Sequence, residues 1–270
     1  MIIDTHAHLY LEEFEKDIES VIDHSKENGV STIYLPAINS ETHEAMVALG
    51  NRYPSYCKPM IGLHPCYVKA DYENELKIVD DYLARYPFSG IGECGLDFYW
   101  DKTFVKEQYL ALEYQIHLAI NNQLPIILHT RNATQETIDV IRSNKNDNLK
   151  GIFHCFGGTI EEAQQIIEMG FYLGIGGVVT YKNAGLDKVL EHIDLKHIVL
   201  ETDAPYLTPV PNRGKRNETA YLKIIAEKIA SIKNCSFEEV AKITSDNANM
   251  IFGNKVQLFV VCCLWFVVLV

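Results

Sequence analysis

No Cys-x-x-Cys pair occurs among the seven cysteines of this 270-residue chain: Cys57, Cys66, Cys94, Cys155, Cys235, Cys262 and Cys263. Their odd number and irregular spacing exclude a zinc ribbon and provide no disulfide framework, so a reducing, cytoplasmic setting is expected. Positive charge is scarce too, with 24 Lys and Arg against 36 Asp and Glu and a net charge of -12. A chain of that sign does not wrap duplex nucleic acid electrostatically, so any such contact has to be local, at a small basic patch or a metal. No Gly-x-Gly-x-x-Gly follows the first apolar run, which removes the usual dinucleotide-binding signal. The opening MIIDTHAHLY has no basic stretch and apolar segment ahead of a cleavage site, and no signal peptide is expected.

Long apolar runs are absent except at one place. Val256–Val270 reads VQLFVVCCLWFVVLV, apolar but for Gln257. As a helix it would span roughly 22 Å, short of the roughly 30 Å hydrocarbon core, so membrane association is not expected. The sequence therefore divides into residues 1–254, a complete domain, and residues 255–270, an apolar extension of unknown role.

What is present is alternation. Short β-branched runs, MIID, STIYLPA, KPMIGLH, SGIGECG, LPIILHT, KGIFHCF, FYLGIGG and HIVLETD, are separated by longer stretches. Several of these carry apolar residues at helical spacing: Leu11–Asn28, Phe104–Asn121, Ala133–Asn144, Ile160–Met169, Ala184–His192, Glu218–Ile232 and Ser236–Asn249. Eight strand candidates alternating with helices indicate an α/β fold, a single (β/α)8 TIM barrel, in preference to a doubly wound open sheet. The length is close to the roughly 250 residues typical of such a barrel.

In such a barrel, the C-terminal ends of the strands converge on one mouth. The runs end in His6 and His8, His64, Glu93, His129, His154 and Asp203, so five of the ten histidines sit at strand ends. Imidazoles and carboxylates gathered there would be costly to bury unpaired, and a metal removes that cost. Four imidazoles (His6, His8, His129, His154) and two carboxylates (Glu93, Asp203) exceed what one catalytic zinc uses. They divide naturally between two divalent ions sharing a carboxylate, with Glu93 as the bridge. Magnesium, zinc and manganese all suit this donor set.

These residues lie in stretches that resemble the TatD family of metal-dependent deoxyribonucleases: DTHAHL, GLHP, GIGECGLDFYW, LPIILHTR, HCFGG, LETDAPYL and PNRGKRNE, in order over about residues 1–253. Thr219, where the family usually has proline, and Cys94, where it often has an aliphatic residue, depart from the pattern without removing a ligand. The resemblance implies a hydrolase of DNA phosphodiester bonds acting from an end, with single-stranded DNA the expected substrate and the choice between DNA and RNA left open. It implies that His6, His8 and Asp203 hold one ion, His129 and His154 the other, and that Glu93 bridges.

On this reading Asp203 orients the attacking water and accepts its proton. His64 and Arg131 are placed to contact the phosphate, Arg131 through its planar fork. Arg213, Lys215 and Arg216 form the one dense basic cluster, a candidate backbone contact. Tyr99 or Trp100 could stack on a terminal base. Glu201 is expected to support a ligand imidazole, and Cys94 and Cys155 to point away from the site by strand alternation. The competing enzyme reading is an amidohydrolase acting on a small amide, lactone or phosphotriester. No stable protein partner is implied.

Overall fold

A computed structural model describes residues 1–144 and 146–253. The apolar run from Val256 lies outside the described residues. The strands are β1 (Ile2–Asp4), β2 (Val30–Pro36), β3 (Cys57–Met60), β4 (Ile91–Asp97), β5 (Ile126–Arg131), β6 (Gly151–Phe153), β7 (Tyr172–Ile175) and β8 (Ile198–Leu200). The helices are α1 (Ile18–Glu27), α2 (Ser40–Arg52), α3 (Tyr72–Leu83), α4 (Val105–Asn122), α5 (Thr134–Ser143), α6 (Ile160–Glu168), α7 (Leu186–Glu191), α8 (Leu222–Lys233) and α9 (Phe237–Phe252).

Every pairing is parallel, in sequential order β1–β2–β3 and β4 through β8. Two short bridges, Ile61 with Ile91 and Ala7 with Ala204, join the two sets of strands at both seams. Backbone bonds reinforce them, Gly92 N to Ile61 O at 2.8 Å and Thr5 N to Leu200 O at 3.0 Å. The sheet closes on itself as a (β/α)8 barrel, and the open-sheet alternative fails. Among the described residues no helix is long and apolar enough to cross a membrane.

The strands place the functional ends by simple alternation. Ile3, Tyr34, Met60, Ile127, Ile152 and Val199 supply one residue from each of six strands to a buried cluster with Ala248 and Ile251 of α9. Side chains two or four residues further along face the same way. That rule takes Ile127 to His129 within β5 and Ile152 to His154 just past β6.

Two departures from the sequence reading have local causes. Leu11–Asn28 is not one helix: a short turn at Glu12–Phe14 precedes α1. Phe14 is fully buried there, and the Arg216 guanidinium lies 4.6 Å above its ring while bonding Glu13 O and Asp17. Helix α2 shows weak apolar periodicity. The buried side of α2 includes His43 and Gly50, which dilute its stripe.

Candidate metal centre

The centre forms around Glu93. Strand β4 advances from Ile91 to Cys94 while its partner advances only from Ile126 to Leu128, so Gly92 and Glu93 form a bulge. A bulge re-aims a side chain. Gly92 has φ 153°, and a Cβ there would lie 2.8 Å from Ile127 Cβ, so only glycine fits beside Glu93. The backbone of this turn reaches across to the end of β2, with Glu93 N donating to Ala37 O at 3.0 Å.

Glu93 is 2 % exposed, and each of its two oxygens meets a different set of rings. Oε2 lies 3.1 Å from His6 Nε2 and 3.5 Å from His8 Nε2. Oε1 lies 2.8 Å from His129 Nδ1, 3.4 Å from His64 Nε2 and 3.6 Å from His154 Nε2. Asp203 Oδ1 completes the first set, 3.5 Å from His8 Nε2 and 3.7 Å from His6 Nε2. Asp203 holds this position with φ 58°, a left-handed conformation that costs roughly 1–2 kcal/mol for a residue with a Cβ. Thus His6, His8, Asp203, Glu93, His129 and His154 come together, and His64 Nε2 lies 3.2 Å from His129 Nδ1.

Further residues orient the rings from behind. Tyr10 donates its hydroxyl proton to Pro36 O at 2.6 Å, so at 2.9 Å it accepts from His8 Nδ1. Asp97 Oδ2 lies 2.8 Å from His129 Nε2. Glu201 Oε1 lies 3.0 Å from His154 Nδ1 and accepts from Cys155 N at 2.6 Å. Gly174 makes room for it, since a Cβ there would fall 2.2 Å from Glu201 Oε2. Asp4 ties β1 to the segment after β8, accepting from Thr202 Oγ1 at 2.6 Å and from His6 N at 3.2 Å.

The roles of Asp97 and Tyr10 were not assigned from sequence. The available signal was parity: Asp97 is four residues after Glu93 on one strand, and Tyr10 two after His8.

The electrostatics are those of negative charge awaiting cations. Burial works against the Glu93 carboxylate, but His64, His6 and His154 hold it well below its usual range. Burial opposes ionisation of Asp203 as well, yet the hydrogen bond from His8 and the nearby rings lower it. Burial would depress His8, but hydrogen bonds to Asp203 and Glu93 push it up to about 9. His6 moves the other way, lowered to about 4 by burial and by neighbouring His154.

A cavity of ≈ 1230 Å³ opens above the centre, lined by His64, Glu93, His129 and Asp203 at its floor and by Arg131 and Trp100 at its rim. The Arg131 guanidinium stacks 4.2 Å above the Tyr99 ring. Cys155 also lines it; its φ of 47° breaks the strand alternation that predicted an outward-facing thiol. Cys94 is fully buried, as its packing role requires.

The basic loop does not reach this cavity. Arg213 stacks 4.0 Å above Tyr181, and Lys215 is exposed. Arg216 forms a two-pronged pair with Asp17 at 2.8 and 2.7 Å and a third bond with Glu218.

A family model described as TatD related DNase matches residues 3–253. The chain belongs to the TatD family. It is 39% identical to a metal-dependent hydrolase, YabD, of Bacillus subtilis (strain 168), over 93% of this chain and 99% of that one. It is 31% identical to the 3'-5' ssDNA/RNA exonuclease TatD of Pectobacterium carotovorum subsp. carotovorum (strain PC1), over 93% and 99%. The crystal structure of YjjV, a TatD homologue from Escherichia coli K12, superposes with a TM-score of 0.89 at 26% identity, covering 94% and 98%. This chain is therefore a TatD-family metal-dependent hydrolase.

Its residues fit a metal on their own evidence. Two groups of donor atoms drawn from these ligands, His6 with His8 and Asp203, and His6 with Glu93 and His154, each lie within 4.8 Å of one another. Glu93 Oε1 and His129 Nδ1 approach to 2.8 Å while the ring's other nitrogen, Nε2, donates its N–H to Asp97 Oδ2. Two lone pairs that close require a cation between them, a proton or a metal.

Proposed function

We propose that this TatD-family protein hydrolyses phosphodiester bonds of nucleic acid, single-stranded DNA first, from an end, with two divalent cations at Glu93. The observation that carries the proposal is the division of one buried carboxylate between two sets of rings, His6 and His8 on Oε2 and His129 and His154 on Oε1. One residue so placed would be able to serve two cations. His6, His8 and Asp203 would hold one, and His129 and His154 the other. When bound, such cations supply Lewis acidity towards phosphoryl oxygens and a water acidified towards neutrality. The choice of nucleic acid is supported by the Pectobacterium exonuclease at 31% identity.

The chain's own groups then have separate tasks. The Asp203 side chain is 13% exposed against 3% for Glu93, so it is the carboxylate of the centre with most access to the cavity. Kept ionised at neutral pH by its imidazole neighbours, Asp203 orients the attacking water and takes its proton. Arg131 presents its fork to the phosphate from the rim, already held flat by Tyr99. Trp100, 68% exposed, offers a face to an unstacked terminal base. Arg213 and Lys215 are available to a strand outside the cavity; Arg216 is not.

The test is metal analysis of the purified protein together with digestion of single-stranded DNA labelled at one end, under magnesium, manganese and zinc. Stepwise shortening from one end with two bound ions is the expected result. Hydrolysis of small amides, lactones or phosphotriesters with no attack on DNA would replace this reading with the amidohydrolase one.

A further inference from the structure

The mouth of the barrel has two halves of different chemistry. Strands β8, β1, β2 and β3 are neighbours, with β1 joined to β8 through the bridge between Ala7 and Ala204. Apart from the imidazoles and carboxylates of the centre, the segments after these four strands line the cavity with Ile38, Cys66, Tyr67, Tyr206 and Leu207. None of these is an acidic or basic residue. The ends of β4, β5 and β6 and the segments after them contribute Trp100, Arg131, Asn132, Thr134, Thr159 and Glu162. One side of the cavity is therefore polar and the other aromatic and apolar.

Tyr67 and Tyr206 give the second side its character. Each closes a tight turn on a residue of the centre, Tyr67 N donating to His64 O at 2.9 Å and Tyr206 N to Asp203 O at 2.7 Å. Asn217 Nδ2 also donates to Tyr206 O at 2.6 Å. The main chain of both tyrosines is thus fixed relative to the centre. Their rings stand edge-on to its imidazoles, with centroids 6.2 Å apart for Tyr206 and His8 and 6.2 Å apart for Tyr67 and His64. Tyr10 beside His8 differs: it is buried, and its hydroxyl holds both His8 and Pro36 O. Tyr67 and Tyr206 are 45% and 48% exposed, and neither hydroxyl has a hydrogen-bond partner among the described residues. Two half-open rings, held in place and without an internal task, suit a flat apolar group.

We infer that Tyr67 and Tyr206 receive a nucleobase, that of the nucleoside joined to the scissile phosphate on the side away from Trp100 and Arg131. The two halves of the mouth then match the two nucleosides of one phosphodiester, and the centre between them faces the phosphate. Stacking tolerates any base, because every base has a π-face. The contact therefore selects for a nucleoside at this position and not for a sequence. This assignment rests on the phosphodiester reading.

Single-stranded oligonucleotides carrying an abasic residue at the terminal or the penultimate position test it, at saturating metal. In the wild type at least one of the two abasic positions should raise KM about tenfold, the size of one lost base–aromatic contact. In the double variant Tyr67→Leu, Tyr206→Leu the penalty at one such position should vanish, because the partner of that base is gone. The double variant Tyr67→Phe, Tyr206→Phe keeps both ring faces and should behave as the wild type. No penalty at either position, or undiminished penalties in the leucine variant, overturns the inference. Loss of the penalty in the phenylalanine variant also overturns it, since the hydroxyls would then carry the contact.

A measurement without turnover separates the base site from the reaction. The metal-loaded wild type should bind dAMP about tenfold more tightly than deoxyribose 5-phosphate. The leucine variant should bind the two alike. A preference that survives in the leucine variant places the base elsewhere and overturns the inference. If the preference responds as expected but no phosphodiester is hydrolysed, the assignment of the reaction fails and the base site stands.

Discussion

The two ends of the barrel are made from the same strands and obey opposite rules. At the lower end Ile3, Met60, Ile127, Ile152 and Val199 pack against Ala248 and Ile251 of α9 in a buried apolar cluster. At the upper end, two or four residues along the same strands, imidazoles and carboxylates crowd together. His6 Nδ1 and Glu201 Oε2 are buried there without hydrogen-bond partners among the described residues. Buried polar groups of that kind cost about 1–3 kcal/mol each. The lower end supplies the stability that permits the upper end to hold charge ready for cations. Substitutions at the two ends should therefore fail in different ways.

The largest effect is expected at Glu93. Glu93→Ala removes the carboxylate that faces both sets of rings. Hydrolysis should fall about 10³-fold or more, because metal stabilisation of the transition state is worth several kcal/mol and each 1.4 kcal/mol is roughly tenfold. The bound metal count should fall with it. Wild-type turnover with wild-type metal content would end the comparison. At the other pole, Ile251→Ala opens a void below the barrel and should cost about 2–5 kcal/mol of stability in urea. Turnover per folded molecule should not change. A large loss of turnover there would show that the two ends are not separable.

A smaller effect, in pH, sharpens the contrast. In the metal-free protein burial alone would depress His154, but the charges of Glu201 and Glu93 push it up to about 10. With His8 at about 9, both rings hold protons at pH 7 in the absence of metal. Cations must displace them, so metal affinity should rise with pH until about 9–10 and weaken towards pH 6. Zinc titrated into weakly buffered metal-free protein at pH 7 should release protons, and a titration without release would contradict the assignment. The stability sign is opposite. Raised imidazole pKa values stabilise the metal-free fold below about 6.5, the unfolded value, and that contribution is lost as pH climbs through 9 and 10. Ile251→Ala should lower this curve without changing its shape.

The strands were legible because apolar β-branched runs announce themselves, and the convergence at the mouth followed from which residue ended each run. Less legible was whatever depended on a break in regularity. The bulge at Gly92 and Glu93 and the left-handed Asp203 and Cys155 alter which way a side chain faces, and no periodicity encodes them. The Cys155 thiol was misread for that reason. Helix α2 was missed because His43 and Gly50 occupy buried positions in it. His64 could be seen at a strand end, but the hydrogen bond that orients its ring comes from the Cys66 N–H, a main-chain group with no signature in residue types. The pairing of Arg216 is not legible because its partner Asp17 is 199 positions away.

The smallest expected effects divide the two arginines. Arg131 lies on the cavity rim with its fork above Tyr99, whereas Arg216 is held by Asp17 and Glu218. Arg131→Ala should raise KM for a single-stranded oligonucleotide about tenfold, the low end for a charge-assisted bond because the rim is open to solvent. It should also flatten the salt dependence of binding. Arg216→Ala should leave KM where it is. Its side chain is 26% exposed and that of Asp17 43%, so solvent screening limits the loss of stability to at most about 1 kcal/mol. Urea midpoints and KM at several salt concentrations for both variants check this. If Arg216→Ala raised KM as much as Arg131→Ala, the nucleic-acid path would have to run over the basic loop, and the rim above Glu93 would lose its claim to the phosphate.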